Sequence, residues 1–393
     1  MKQLRSIIYV NYSPYENSGK ILDYILENFT HVFVISLGFH QLRNKKNDNT
    51  LTIYTNGKKE KEFFFFRLSV HPRFVFLLIP IRSIITIFQI VLLSLFLKIK
   101  FGTIDIYFSV NAFTAWIGNI LRAMGVVKKT IFWVWDYYPP IHKSKIITLM
   151  RSIYWQFDQW AIESSKVVFV NQRLLDLRKS MGLIAPHITY PIIPIGTEII
   201  KIAIVSKTKN QPVFGFIGVL KKSHGFGIVF DHAAQLLREF PTLRYEIIGS
   251  GPDEEYFKKK ALKSKIPTQF YGYMEGESFN DVLRMCTIGI ATYIPDPSNV
   301  SPFGDPGKIK RYISLGIPVI VTNVIEFAGM IDKTKSGVVI DYNNPDEFVP
   351  AVRKILANYD IYQKNALMLA QSFYYRRLYK RFPLNFFSNK SHS

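Results

Sequence analysis

Hydrophobic residues in this chain occur in short runs that alternate with segments of helical periodicity. Runs of strand length occupy residues 7–10, 31–37, 51–55, 62–68, 104–109, 129–134, 165–170, 213–217, 243–248, 268–271, 288–292, 318–322 and 338–340. Helical patterns occupy residues 19–29, 111–124, 225–239, 254–263, 278–285, 307–315 and 345–358, with a further long helix before residue 165. Strands that alternate with helices in this way predict parallel sheets covered on both faces, and therefore an α/β fold.

These strand–helix units are too many for one simple sheet. A break falls at residues 191–197, which contain Pro191, Pro194 and Gly196. A chain of 393 residues is also long enough for two domains. We therefore predict two Rossmann-like domains, residues 1–190 and 191–370, followed by a basic aromatic tail at residues 371–393.

One long apolar segment, residues 74–97, has Arg82 as its only charged residue. Three interpretations fit its pattern: a well-buried helix before the next strand, a helix lying against a membrane face, or a membrane span. The span is disfavoured because it would place strands of one domain on opposite sides of a bilayer.

The amino-acid composition indicates that the protein binds an anionic partner. Lys and Arg number 50 against 29 acidic residues, a formal net charge of +21, and the chain has 32 Phe and 22 Tyr. Basic and aromatic residues together favour an anionic membrane surface at least as well as nucleic acid. The tail shares this composition, and it is either a packing helix with a solvated face or a second membrane contact.

A single cysteine, Cys286, excludes an internal disulfide framework and predicts a reducing environment. The apolar stretch that starts at Ile7 is short and is broken by Asn11, so it predicts a buried strand and not a signal peptide. We expect a cytoplasmic protein held peripherally at the inner membrane face.

Two glycine turns follow predicted strands of the second half. Glycine lets the backbone approach a phosphate closely, and the next helix start offers N–H groups and a partial positive charge. Simple strand-to-helix turns share the same pattern. The residues that would contact a phosphate in these turns are Gly218, Lys221, Lys222, His224, Gly249 and Gly251.

The strongest chemical signal lies in residues 301–320. A loop opens a short helix, Gly316 ends that helix, and Pro318 leads into a buried strand. A helix start beside a lysine is a physical site for a pyrophosphate. The candidate residues there are Gly304, Asp305, Pro306, Gly307, Lys308 and Arg311.

Taken together, residues 214–220, 247–252 and 301–320 resemble the donor half of retaining glycosyltransferases with the GT-B fold, similar to family 4. The resemblance covers residues 213–323 well and the N-terminal half in outline. It implies two Rossmann-like domains that face each other across a cleft, and transfer of a sugar from a nucleoside diphosphate sugar with retention. In such enzymes a loop like Tyr273-Met274 holds the base, and Lys308 would stabilise charge on the leaving diphosphate.

The sequence also departs from that family. The family usually has two glutamates separated by seven residues, and the second, which typically binds the donor ribose, aligns with Arg311. The first aligns near Phe303. These losses support an alternative, a non-catalytic GT-B-like scaffold or a nucleotide-binding protein.

An acceptor side is predicted in the first half. Asp136 follows a strand among large aromatic residues, where a carboxylate can orient or deprotonate an acceptor hydroxyl. A turn or helix-cap role is the alternative for Asp136, and a cap for Asn111. The other candidates on this side are Asn11, Gly19, Asn111, Tyr137 and His142.

Rival chemistries lack their motifs. The sequence has no G-x-S-x-G, H-E-x-x-H, Walker or D-x-D pattern. We therefore expect no metal and no cofactor besides the donor. Basic residues are spread over several segments without a nucleic-acid motif, so we expect a saccharide or lipid-linked acceptor and no nucleic acid.

Overall fold

The computed structural model describes residues 6–12, 14–38, 48–68, 77–200, 211–296 and 302–382. Backbone contacts divide the chain into two units. Unit 1 comprises the described residues up to Ile195 together with those from Tyr375 onward, and unit 2 comprises those of Gly196–Tyr374. Of the segment expected as a separate C-terminal tail, residues 371–374 therefore belong to unit 2 and residues 375–382 to unit 1.

Unit 1 is built on one seven-stranded sheet with the order β4-β3-β2-β1-β5-β6-β7. Its strands are β1 (Ser6–Asn11), β2 (His31–Ser36), β3 (Asn49–Thr55), β4 (Lys58–Phe65), β5 (Ile104–Ser109), β6 (Val127–Val134) and β7 (Lys166–Phe169). Its helices before residue 195 are α1 (Ile21–Asn28), α2 (Ile79–Phe101), α3 (Ala112–Ala123), α4 (Lys145–Ser164) and α5 (Gln172–Ser180). The chain leaves β1 in one direction for β2 and returns on its other side as β5, so the strand order reverses between β1 and β5.

An antiparallel hairpin corrects the prediction of wholly parallel sheets. β3 pairs antiparallel with both β2 and β4. Asn56 and Gly57 join the two strands of the hairpin with φ of 52° and 75°. Two positive φ values are what a tight hairpin turn requires, and Asn-Gly is the favoured pair for it.

Helix α2 covers part of the sheet of unit 1, but it is not well buried, which was the first of the three interpretations of this segment. Its buried stripe consists of Arg82, Thr86, Ile90, Ser94 and Leu97. The opposite side of the helix is exposed. Residues 74–76 of the predicted segment lie outside the described residues. Among the described helices, α2 alone is long and apolar enough to cross a membrane by length and composition.

Unit 2 is a six-stranded parallel sheet with the order β10-β9-β8-β11-β12-β13. Its strands are β8 (Val213–Ile217), β9 (Arg244–Ile248), β10 (Thr268–Gly272), β11 (Ile288–Ala291), β12 (Val319–Thr322) and β13 (Gly337–Ile340). Its helices are α6 (Ile228–Asp231), α7 (Ala233–Glu239), α8 (Glu254–Ser264), α9 (Gly276–Met285), α10 (Gly307–Ser314), α11 (Ala328–Thr334), α12 (Phe348–Ala357) and α13 (Tyr359–Gln371). Every strand predicted in this half is confirmed, and the strand order reverses between β8 and β11.

The C-terminal segment is a packing element of unit 1. It contains α14 (Tyr375–Leu378) and a short 3-10 turn. The Tyr379 and Phe382 rings lie 5.5 and 5.4 Å from the ring of Trp133 in the core. Arg376 forms an ion pair with Glu27 of α1. The aromatic residues of this segment therefore face inward, which matches its interpretation as a packing helix with a solvated basic face.

Candidate functional site

The strand order in unit 2 reverses where β8 and β11 lie side by side. Open α/β sheets bind ligands at the carboxyl ends of strands at such a point, because loops diverge there and leave a crevice. β8 ends at Ile217 and is followed by Gly218, and β11 is followed by Thr292 and Tyr293. The predicted donor residues Gly218, Gly249, His224 and Lys308 lie close together at the end of β8. Tyr273 and Met274 instead follow β10, two strands away in the sheet.

Helix α10 is fixed over the reversal point by one tyrosine. The Tyr312 hydroxyl donates to the carbonyl oxygen of Gly215 at 3.0 Å and accepts from the amide of Ile217 at 2.8 Å. A Cβ at Gly289 would lie 2.6 Å from the Tyr312 ring, so the ring fits because β11 has a glycine there. Lys308 lies one helical turn before Tyr312, and the same face of α10 carries both side chains toward the sheet.

The environment of the Lys308 side chain is the central feature of this site. Its Nζ is buried and has no hydrogen-bond partner among the described residues. The ammonium lies 4.4 Å from the ring centroid of Phe216 and 4.8 Å from that of Tyr293. It would lie 3.3 Å from a Cβ built on Gly218. Burial lowers the pKa of Lys308 from 10.5 to about 7. A buried cation without a counter-charge is costly, and an anionic ligand would relieve that cost.

His224 lies beside this lysine as a neutral imidazole. Its Nδ1 is 2.8 Å from the carbonyl oxygen of Val219, so this nitrogen carries the hydrogen. Burial, and next the charge of Lys308, lower the pKa of His224 to about 3. His224 therefore adds no positive charge near pH 7. The adjacent Lys222 is exposed, and its ammonium lies over the ring of Tyr256 at 4.2 Å, while Lys221 is half-buried.

The two predicted glycine turns pack against each other. Gly218 donates to the carbonyl oxygen of Ile248 at 3.0 Å, and Gly249 and Gly218 both have φ of 134°. A Cβ at Gly249 would lie 1.9 Å from the carbonyl oxygen of Gly218, and one at Gly251 would lie 2.4 Å from that of Leu220. The packing of one turn on the other thus requires Gly249 and Gly251 even without a ligand.

The loop before α10 is held by a buried ion pair. Asp305 pairs with Lys310, and these side chains are 5% and 1% exposed. The Lys310 ammonium also lies 4.5 Å from the ring centroid of Phe373. The Asp305 carboxylate is therefore engaged inside unit 2. The same pair positions Gly304, Pro306 and Gly307 at the start of α10, of which Pro306 is the residue before the first turn.

Arg311 has a different environment from the glutamate expected at its position. It forms an ion pair with Glu198 at 2.7 Å and a hydrogen bond with Asn280, and its guanidinium lies 5.6 Å from the ring centroid of Phe279. Tyr273 and Met274 follow β10 and are half-buried, with the Tyr273 hydroxyl donating to Glu275.

In unit 1 the strand order reverses between β1 and β5, and polar side chains lie at both strand ends. Asn11 ends β1 and is 4% exposed, and its Oδ1 has no hydrogen-bond partner among the residues described here. Asn111 follows β5, and its side chain accepts from the amide of Phe113 at 3.0 Å. The cap interpretation of Asn111 is therefore correct, and Asn11 is the polar group of the pair left unsatisfied.

Asp136 follows β6 at the same edge of this sheet. Its side chain keeps an exposed surface. Desolvation of the carboxylate by the surrounding protein raises the pKa of Asp136 to about 6. A hydrogen bond from the Tyr138 hydroxyl offsets part of this increase. Burial raises the pKa of Tyr138 well above its ordinary value, and the charges of Asp136 and then Glu16 raise it further, so Glu16 belongs to the same cluster. The Glu16 carboxylate accepts from the amide of Tyr12 at 2.7 Å.

The remaining acceptor candidates make structural contacts. The Gly19 carbonyl accepts from the Tyr379 hydroxyl at 2.6 Å. The buried Tyr137 ring lies 5.1 Å from the guanidinium of Arg178, which forms a buried ion pair with Asp158. His142 Nδ1 accepts from the amide of Ser144 at the start of α4.

Sequence reasoning missed four participants. Glu16 and Tyr138 complete the cluster around Asp136, and Phe216 and Tyr293 enclose the Lys308 ammonium. A carboxylate inside the loop after β1 was a visible signal for Glu16, but no pattern marked the two rings. The described residues contain no group of three or more His, Cys, Asp or Glu that could hold a metal ion.

Solved structures show the fold class of the whole chain. HepE from Anabaena in complex with UDP aligns with a TM-score of 0.64 and 14% identity, covering 96% of this chain and 98% of that one. Sucrose-phosphate synthase from Thermosynechococcus elongatus aligns with a TM-score of 0.67 and 13% identity, covering 94% of each chain. OtsA without ligand aligns with a TM-score of 0.65 and 13% identity, covering 98% and 100%. The chain has the GT-B fold, as predicted.

A sequence match to a protein family lies within unit 2. Residues 198–368 match the family described as glycosyl transferases group 1. The match includes Lys308 and the whole of α10. No curated protein sequence matches the chain.

Proposed function

We propose that this protein transfers a sugar from a nucleoside diphosphate sugar to an acceptor, with retention of the anomeric configuration. The match of residues 198–368 to glycosyl transferases group 1 supports the reaction class. The observation that carries the proposal is the buried ammonium of Lys308 at the strand-order reversal of unit 2, which has no hydrogen-bond partner within the described part of the chain. HepE, which shares the fold, was solved with UDP, and a diphosphate is the kind of anion that this ammonium lacks.

The proposed role of Lys308 follows from charge. Cleavage of the glycosidic bond leaves negative charge on the departing diphosphate. An ammonium held in place by Phe216 and Tyr293 needs little reorganisation when that charge develops, which is the most effective form of electrostatic stabilisation. The start of α10 adds N–H groups aimed at the same region.

The proposed acceptor group is the cluster around Asp136. A carboxyl with a pKa of about 6 is ionised at pH 7 and can still take up a proton from an acceptor hydroxyl. Asn11 offers an amide oxygen at the edge of the same sheet that accepts no hydrogen bond from any described residue. A saccharide or lipid-linked glycan has the hydroxyl groups that such side chains bind, and we place this acceptor at a membrane surface on the cytoplasmic side.

Arg311 favours a second candidate function. Its guanidinium is engaged by Glu198 and Asn280, and as a donor it cannot accept hydrogen bonds from ribose hydroxyls. A non-catalytic scaffold that binds a nucleotide would tolerate this change. It predicts binding of a donor without turnover.

Calorimetric binding of UDP-, GDP-, ADP- and CMP-sugars tests the donor site. We expect one donor to bind, and Lys308→Met to weaken it by about 30- to 150-fold, since a charge-assisted hydrogen bond contributes roughly 2–3 kcal/mol. Lys258→Met on α8 is the matched control, because Lys258 forms its ion pairs at the surface, and it should bind as the wild type does. Equal affinity of the wild type and Lys308→Met would refute the donor site.

A further inference from the structure

Helix α2 has the reverse of the usual polarity of a surface helix. The stripe that faces the core contains Arg82, Thr86 and Ser94. The outward side is apolar, with exposed fractions of 51% for Ile81, 55% for Ile84, 63% for Phe88, 62% for Leu92 and 86% for Ile99. A surface helix in water normally buries its apolar stripe and exposes its polar one. The outward side of α2 is therefore built for a medium other than water.

A second helix of unit 1 extends this surface. α3 packs against both α2 and α4, and α2, α3 and α4 contribute to one hydrophobic cluster on the sheet. α4 also exposes an apolar row at helical spacing: Ile146, Leu149, Ile153 and Trp160. We call the outward apolar residues of α2 and α4 the apolar face. Single exposed apolar residues are ordinary, but two rows on the helices that pack against α3 mark a surface of interaction.

The charge around the apolar face selects its partner. Residues 79–164, from the start of α2 to the end of α4, contain nine Lys and Arg and four acidic residues. One of the acids, Asp105, is already paired with Lys128. Exposed lysines lie at the margins of the face, Lys100 at the end of α2 and Lys143 before α4. A second copy of this chain would bring two basic surfaces together, which is unfavourable, whereas an anionic surface complements them.

The position of α2 excludes a crossing helix. β4 precedes it and β5 follows it, and both strands belong to the same sheet. A helix packed on that sheet through Ile90 and Leu97 can lie only in the plane of a membrane surface. Trp160 belongs to a residue type enriched at the boundary between lipid and water.

We infer that the apolar face docks unit 1 onto an anionic lipid bilayer, with the outer side of α2 in the boundary between headgroups and acyl chains. The lysines at its margin contact anionic headgroups. This inference concerns attachment, and it stands whether or not the donor site transfers a sugar.

Sedimentation with lipid vesicles tests the inference. The full chain is mixed with phosphatidylcholine vesicles that contain or lack phosphatidylglycerol. We expect binding to the anionic vesicles, much weaker binding to neutral ones, and a loss of at least about tenfold for the double variant Phe88→Glu/Leu92→Glu, because burying two large apolar side chains is worth more than that factor. The matched control is Ile361→Glu/Met368→Glu on α13 of unit 2, where the side chains are 57% and 61% exposed, and it should bind as the wild type does.

A second variant and a donor-binding measurement separate loss of membrane binding from misfolding and from loss of the donor site. Ile99→Glu, at the most exposed position of α2, gives a second variant if the double variant does not fold, as judged by its circular dichroism. Donor binding by all these variants should equal that of the wild type, so a failed membrane inference is separable from a failed donor site. Equal vesicle binding by wild type and folded variants overturns the inference. So does a wild type that ignores vesicles and forms a dimer that Phe88→Glu/Leu92→Glu dissociates.

Discussion

Two lysines of α10 give a sharp test of the donor site, because they are both buried and lie two residues apart. Lys310 pairs with Asp305 inside unit 2, whereas the Lys308 Nζ has no partner among the described residues. Replacement of each by Met keeps an unbranched side chain and removes the charge. We expect opposite effects on the free energy of unfolding.

The size of the Lys308 effect follows from its pKa. The folded pKa is about 7 against 10.5 for an ordinary lysine. The cost of burying the charge is therefore fully present below pH 7 and is relieved as the pH rises toward 10.5. At 1.36 kcal/mol per pKa unit, this cost is on the order of 4–5 kcal/mol at pH 6 and about half of that at pH 9. Lys308→Met should raise the free energy of unfolding, more at pH 6 than at pH 9.

The expected effect of Lys310→Met has the other sign. Removing one partner of a buried ion pair leaves the other charge without compensation, which typically costs about 3–5 kcal/mol. Urea denaturation of the full chain at pH 6 and pH 9, followed by circular dichroism, measures both variants. If Lys308→Met destabilises the protein as Lys310→Met does, Lys308 is not an unpaired buried charge, and the reasoning for the anion site fails.

Three further predictions follow from the same contacts. Calorimetry should show a donor affinity that is constant below pH 7 and then falls by up to about tenfold per pH unit, because the ligand binds the charged form of Lys308. Lys308→Arg should flatten this pH dependence, and an unchanged slope in the variant would assign the titration to another group. Asp136→Asn should retain donor binding and lose roughly 10²- to 10⁴-fold in turnover, and wild-type turnover should decline as the pH falls through about 6; full turnover by the variant would remove Asp136 from the mechanism. Gly249→Ala should lower the free energy of unfolding by several kcal/mol in thermal or urea denaturation. Its Cβ would clash with the Gly218 carbonyl oxygen, and its φ of 134° is strained for alanine. Gly329→Ala is the control and should not lower the free energy of unfolding, because the space around its Cβ is open.

The alternation of strands and helices predicted the α/β fold, because buried parallel strands are apolar runs that a single sequence displays directly. The hairpin of β3 and β4 was missed although its signal was present. Asn56-Gly57 between two strand-forming runs is the strongest local sign of a tight turn. The strands after β2 were expected to be parallel, but the tight turn at Asn56-Gly57 makes β3 and β4 antiparallel.

The candidate site was predictable only to the level of its loops. Residues 301–320 identified the start of α10, but Lys308 and Lys310 look alike in the sequence. What separates them is tertiary: Asp305 reaches Lys310, and the rings of Phe216 and Tyr293 enclose Lys308. The orientation of helix α2 could not be predicted from the sequence either, because its hydropathy does not reveal that Arg82, Thr86 and Ser94 face inward.

Consumption of a sugar nucleotide tests the central claim most directly. Purified protein would be incubated with each of the four classes of sugar nucleotide and with membrane lipid extract as acceptor, and release of the nucleotide would be measured for wild type, Lys308→Met and Asp136→Asn. We predict that wild type consumes one donor, that Lys308→Met binds this donor about 30- to 150-fold more weakly and consumes it far more slowly, and that Asp136→Asn binds the donor with at most slow consumption. Binding of a donor by wild type without any consumption would contradict the transferase and leave a nucleotide-binding scaffold, and the absence of any binding at millimolar concentration would refute the donor site itself.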